Sequence, residues 1–359
     1  MKNLPKMFLL ISLLALTCAS CKRAVETEFP PTEQMDGELP FTKICRLKNY
    51  PEMVGAISRL SFLDPEHFII VSNAASQVLI FNKKGEQVRF IGNKGRGEFE
   101  FLSPDLVRVH DDRIFIWCNQ LLKLIIFAHD GNPLNEIFFQ RAIKDFVVWE
   151  NLMCIYTSAA TGEVGPMLKI YDMNLETFVG QGFGEVTNEH QILTSHHCAG
   201  GLALFNHYVY FSPIDRPKVY RINLKNFSKT YFQITDPDFV LEKVATPAHE
   251  FAPNPLVAIP YVFGSDIAED LYAFNNYIVL MASVGDMKFE GMTLVDYSAR
   301  RQVLYFLNHD LQPKRKIMSL PLKFTNACLL DTSQDGLYAI KFDPVLTTYG
   351  LYRLNLPGN

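Results

Sequence analysis

VLIFNKKGEQVRFIG, residues 78–92, decides the fold: an apolar run ending at Phe81, a polar turn through Lys84-Gly85, and a second run that returns. β-type runs on either side of a glycine free to take φ > 0 form a hairpin. The unit recurs as KLIIFAHDGNPLNEIFF (123–139), LKIYDMNLETFVGQG (168–182), KVYRINLKNFSKTYFQI (218–234) and TLVDYSARRQVLYFL (293–307). Asp130-Gly131 supplies the turn in the second copy, and Asn174 and Asn226 can tolerate the left-handed position in the next two. A sixth copy, YGLYRLNL (349–356), stops after its first strand. In front of each copy lies another β-rich run: HFIIVSN, RIFIWCN, NLMCIYTS, HYVYFSP, NYIVLMAS and GLYAIKF.

Hairpins that follow one another every 40 to 50 residues or so, with no helical period between them, are the pattern of a β-propeller, whose radial arrangement shortens and protects strand edges. Six copies imply six blades. The truncated sixth copy lacks an outer strand, and FTKICRLKN (41–49) is the unassigned β-like run at the other end of the chain. We expect residues 41–49 to pair antiparallel with 349–356 and close the ring, so that 41–359 forms one all-β domain.

Composition agrees with a large β core. Of 359 residues, 28 are Phe and 15 are Tyr, the types that suit a pleated, buried surface. Without Lys2 and Lys6 of the leader, 32 basic residues face 38 acidic ones, an acidic balance that gives no footprint for nucleic acid.

The first twenty residues read as an export signal: Lys2 and Lys6 form a basic n-region before MFLLISLLAL, an apolar core too short to span a bilayer permanently. Ala19-Ser20-Cys21 resembles the lipobox of bacterial lipoproteins, which implies acylation of Cys21 and a membrane anchor through lipid; Cys18 is the lesser candidate. Residues 21–40, with adjacent Pro30 and Pro31 and no sustained period, have the composition of a flexible tether. Lys22 and Arg23 follow the cysteine directly, without the acidic run associated with surface export in Bacteroidetes lipoproteins. The expected address is therefore the cell envelope, on the outer membrane, facing the periplasm.

Between the first two hairpins lies GNKGRGEFEF (92–101). Its glycines and basic residues suit a phosphate cradle, but the spacing is G-x-x-G-x-G and no helix follows, so neither a dinucleotide fingerprint nor a P-loop is present. It reads as a blade-to-blade joint, with Phe99 and Phe101 packed between blades. Arg96 and Glu98, paired with each other or aimed at the central channel, are its candidates for ligand contact. With the lipobox and the hairpin repeats, the loop Gly95-Arg96-Gly97-Glu98-Phe99 resembles the six-bladed TolB-like or NHL-like propeller lipoproteins of Bacteroidetes. The resemblance implies fold and address far more than activity.

Two long connections stand out. Residues 236–266 form an insert with five prolines, which argues against a long helix or central strand. The stretch 182–201 carries His190, His196, His197 and Cys198. Adjacent histidines on an extended segment point to opposite sides and poorly share one ion, so no metal site is assigned. His196, His197 and His249, with Arg96 and Glu98, are the candidate ligand-binding residues, and the insert and 182–201 are expected to flank the site. The body cysteines Cys45, Cys118, Cys154, Cys198 and Cys328 are odd in number and sit in apolar runs, as buried thiols do. TSQDG (332–336) is a fragment of an Asp-box without its aromatic partner, and no cofactor motif or paired carboxylates at hydrolase spacing are evident. The expected function is non-catalytic binding of a protein, peptide or glycan; the alternative is a carbohydrate-active propeller enzyme, a glycan lyase or hydrolase.

Overall fold

The structure, a computed structural model, describes residues 28–34, 41–48, 57–72, 75–157, 165–196, 200–296, 298–318, 328–333, 336–343 and 347–355. The leader, Cys21, His197, Cys198, Gln334 and Asp335, and the side chains of His196 and Cys328, lie outside this description.

Among the described residues six sheets form the blades: five are four-stranded and antiparallel, and the fifth blade adds a short parallel strand to its four antiparallel ones. Named from their inner strands, they begin at Arg59–Phe62, Pro104–His110, Ile143–Trp149, Gly201–Phe205, Ile267–Phe274 and Cys328–Ser333. The second strands coincide with the β-rich runs read from sequence, such as His67–Ser72 and Arg113–Cys118. They look uniformly apolar because both faces of each sheet are buried. In the first blade Phe68 and Ile70 pack towards the sixth blade, while Ile69 and Val71 pack towards the second. Six apolar clusters result, one between each pair of neighbouring blades.

The ring closes as expected. Phe41–Arg46 is the outer strand of the sixth blade, antiparallel to Thr348–Leu354, with Phe41 opposite Leu354 and Arg46 opposite Gly350. Leu47 N–H donates to the Tyr349 carbonyl at 2.9 Å, and Lys48 N–H donates to the Gly85 carbonyl of the first blade at 2.6 Å. One strand thus ties the last blade to the first.

Several details differ from the sequence reading. The fifth hairpin is Arg301–Leu307 with Pro313–Met318; Thr293–Asp296 instead pairs with Lys288–Glu290 in a small extra hairpin. Glu176 and Phe227, not Asn174 and Asn226, take the left-handed conformation, at φ 51° and 56°. Asp172 and Asn223 start those turns by accepting N–H groups two residues on. The insert contains a helix, Pro255–Gly264, despite its prolines: Pro255 occupies the first turn, where its missing N–H costs nothing, and the Asn254 side chain caps Leu256 N–H. The stretch 182–201 is also helical rather than extended, over Asn188–His196, opened by Thr187 Oγ1 accepting from His190 N–H. Residues 28–34, read as tether, are packed: Phe29 sits on Phe232 and Tyr305, and Glu33–Gln34 pairs parallel with Ile317 and Met318.

Gly85 and Gly131 occupy the same hairpin position in the first two blades, at φ 77° and 88°. A Cβ at Gly85 would lie 1.9 Å from the Arg46 carbonyl oxygen, whereas one at Gly131 meets nothing within 4 Å. Gly131→Ala should therefore cost only the left-handed strain, about 1 kcal/mol, and Gly85→Ala clearly more, read as urea midpoints. Equal losses would show that the closing strand does not bear on the first blade.

Candidate functional site

The inner strands line the axis, and the groups that converge there are charged. In the third and fifth blades the inner strand carries a bulge, and the residue after it is an aspartate, Asp145 or Asp270, opposite Tyr156 or Met281. A bulge re-aims a side chain, and both carboxylates turn into the ring. Asp145 is 1% exposed; it accepts from Arg108 Nη2 of the second blade at 2.6 Å, from Leu202 N–H of the fourth at 2.9 Å, and from Phe146 N–H at 2.8 Å. Asp270 accepts from Arg59 Nη1 of the first blade at 3.3 Å, from the Tyr272 hydroxyl at 3.2 Å and from Leu271 N–H at 2.8 Å. Gly201 of the fourth blade lies so near that a Cβ there would meet the Asp270 carboxylate at 2.5 Å.

Arg59 and Asp270 belong to blades that are not neighbours, so this pair reaches across the axis. Burial raises the Asp270 carboxyl above the usual range; Arg59 opposes the shift and the Asp145 charge adds to it. Breaking a buried pair from one side strands the other charge, at a cost of about 3–5 kcal/mol, so the layer fixes the inner strands in place. Below it, towards the C-terminal ends of the inner strands, lies a cavity of about 180 Å³. Its walls are Phe62, Val109, Val148, Leu204 and Ala273, and Arg108, Asp270 and Ser61 supply its polar part.

The two long connections meet on the opposite face. Asn188 donates to the Val244 and Thr246 carbonyls at 2.9 Å, and Ile192 and Leu193 pack with Ala248, Val262 and Ile267 in a seventh apolar cluster. His190, wholly buried in this cap, sits 3.8 Å from Asp215 and 3.5 Å from the Tyr156 hydroxyl. Burial alone would raise the Asp215 carboxyl, but His190 and Arg216 outweigh it and hold it down at about 2.

Of the residues singled out from sequence, Arg96 and Glu98 are exposed on the joint to the second blade and do not line the cavity. That joint spends its amides internally: Gly97 N–H donates to Glu100 at 2.7 Å and Phe99 N–H to Glu136, while buried Lys123 donates to the Gly97 carbonyl at 2.9 Å. His249 is exposed on the insert beside Glu250, 3.5 Å away. His196 ends the cap helix. The joint and the insert thus belong to different blades. Among the described residues no cluster of three metal-ligating side chains occurs. Arg59, Arg108, Asp145 and Asp270 were not found from sequence; the one signal was an aspartate early in two inner strands, KDFVVW and EDLYAF.

An unfolded aspartate titrates near about 3.9, so the Asp215 contribution, between about 2 and 3 kcal/mol, is complete above pH about 5 and is lost as pH falls towards 2. Asp215→Asn should be less stable than wild type at pH 7 and match it near pH 2 in denaturant titrations. A gap that stays constant with pH would contradict this.

The fold recurs in solved structures. An exported protein of Bacteroides fragilis superposes with a TM-score of 0.62 at 14% identity, covering 92% of this chain and 100% of that one. A DUF4221 family member from Bacteroides vulgatus gives 0.59 at 9% identity, covering 89% and 98%. No curated protein matches the sequence. The model of the DUF5128 family, described as a six-bladed β-propeller, matches residues 52–253, more than half of the chain, and the protein therefore belongs to that family.

Proposed function

We propose that this is a non-catalytic envelope lipoprotein, of the TolB-like or NHL-like kind, acylated at Cys21 on the outer membrane and facing the periplasm, whose axial cavity receives one side chain of a peptide or protein partner. The observation that carries the reading is the cavity's size and lining. Pockets for drug-sized ligands run to about 300–1,000 Å³, whereas a space of 150 Å³ or so holds one benzene; this cavity, at about 180 Å³, is on the single-ring scale. Its lining mixes apolar side chains with polar groups, and both carboxylates beside it already face an arginine. Such a site admits one small group beside charges that are already paired, so a single side chain of a peptide or protein is favoured over a glycan of several rings.

A second reading, the carbohydrate-active enzyme, draws on Asp145 and Asp270, two convergent carboxylates of which one is pushed up by burial, as a general acid requires. Selection from a displayed peptide library and a panel of envelope glycans separates the two. We expect selected peptides to share one anchor side chain and to lose at least tenfold in affinity against Ala273→Phe, which fills the cavity, with thermal stability unchanged. Glycan turnover that disappears in Asp270→Asn would overturn the binding reading.

A further inference from the structure

We infer that the face carrying the insert and the extra hairpin rests on a phospholipid surface, its apolar side chains entering the boundary between headgroups and acyl chains. The inference rests on the reading of Cys21 as the anchor, and it adds an orientation that acylation alone does not supply.

The first observation is where the packed chain begins. Glu28 follows Cys21 by seven residues, a span of at most about 25 Å fully extended. A body of some 320 residues has a radius of gyration of about 20 Å, so this link is shorter than the protein is wide. The rim that receives residues 28–34 must therefore lie close to the membrane. That rim is the outer edge of the fifth blade, where Glu33 and Gln34 pair with Ile317 and Met318 and Arg315 holds the Glu33 carboxylate. Ile317 and Met318 are the last residues of their strand, so they end on the face from which blade-to-blade connections leave, the face of the insert.

The second observation is what this neighbourhood exposes. Phe29 touches Tyr305, whose hydroxyl donates to Asp236 at the root of the insert. From there Val240 N–H reaches Asp266 at 2.6 Å; Arg300 bonds Asp266 and the Gly264 and Ser265 carbonyls, joining the end of helix Pro255–Gly264 to the base of the extra hairpin. On the segments this junction joins, Leu256 is 61% exposed, Val240 64%, and Met292 and Val295 50% each, with Val257 and Phe263 exposed on the same helix as Leu256. Leu256 and Phe263, seven positions apart, fall on one helix face. Large apolar side chains gathered in one region mark an interaction surface, and the short link makes a bilayer the surface held against it. Nearby charges are predominantly acidic, with exposed Glu242, Glu250, Asp286 and Glu290 beside the Lys288–Asp296 and Lys316–Asp236/Asp238 pairs, so contact is through apolar burial rather than attraction to anionic lipid. The axial cavity opens on the other face and would look away from the membrane.

The test uses the acylated protein reconstituted into phosphatidylethanolamine/phosphatidylglycerol vesicles, with an NBD fluorophore on Leu256→Cys, Met292→Cys or, on the second blade's outer strand, Leu134→Cys. We expect blue-shifted emission and at least threefold stronger quenching by doxyl lipids at 256 and 292 than at 134, unchanged by 0.5 M salt. Equal, water-like emission at all three sites while the protein floats with the vesicles would overturn the docking and leave the anchor standing. Failure of the parent protein to float, as expected only for Cys21→Ala, would overturn the anchor and the docking with it.

Discussion

A propeller is stable only as a closed ring, and here closure depends on one antiparallel pairing between chain ends, Phe41–Arg46 with Thr348–Leu354. Without it the sixth blade would lack its outer strand, and the cluster that joins the sixth and first blades would lose the hold of Leu47 and Leu351, both almost fully buried. The pairing spans nearly the whole sequence, so its loop-closure entropy must be met before its contacts form. The six inter-blade clusters then act together, because each sheet buries one face against each neighbour.

Closure also sets the axis. Once the inner strands are held in a ring, bulges in the third and fifth blades aim Asp145 and Asp270 inward, and Arg108 and Arg59 meet them from other blades. The axial charges lie between two unlike faces. On one side lie the cap of helices, the insert and the docked residues 28–34; on the other lies a cavity on the scale of one side chain. An anchored protein with its cap towards the membrane presents that cavity to partners in solution, which joins the proposed orientation to the proposed binding.

The parts legible in the sequence were those with local physics. Second strands such as HFIIV stand out because both faces are buried, hairpins because Gly85 and Gly131 punctuate them, and closure because one copy lacks a strand. The fifth hairpin was misframed because Thr293–Asp296 alternates like a strand of the main sheet while pairing with Lys288–Glu290. Helix Pro255–Gly264 was missed because its prolines look like breakers, although Pro255 falls in the first turn. The axial charges could not be read: Arg59 and Asp270 are 211 residues apart, and Arg108 and Asp145 are 37 apart, distances over which a single sequence carries no pairing signal.

Hydrogen exchange followed by mass spectrometry tests ring closure most directly. If Phe41–Arg46 is the outer strand that holds the ring shut, its hydrogen-bonded amides should exchange only on the global unfolding that also releases Gly336–Asp343. Exchange of 41–46 at the rate of an unstructured terminus, with Gly336–Asp343 still protected, would show that the ring stands without its latch and would contradict the account.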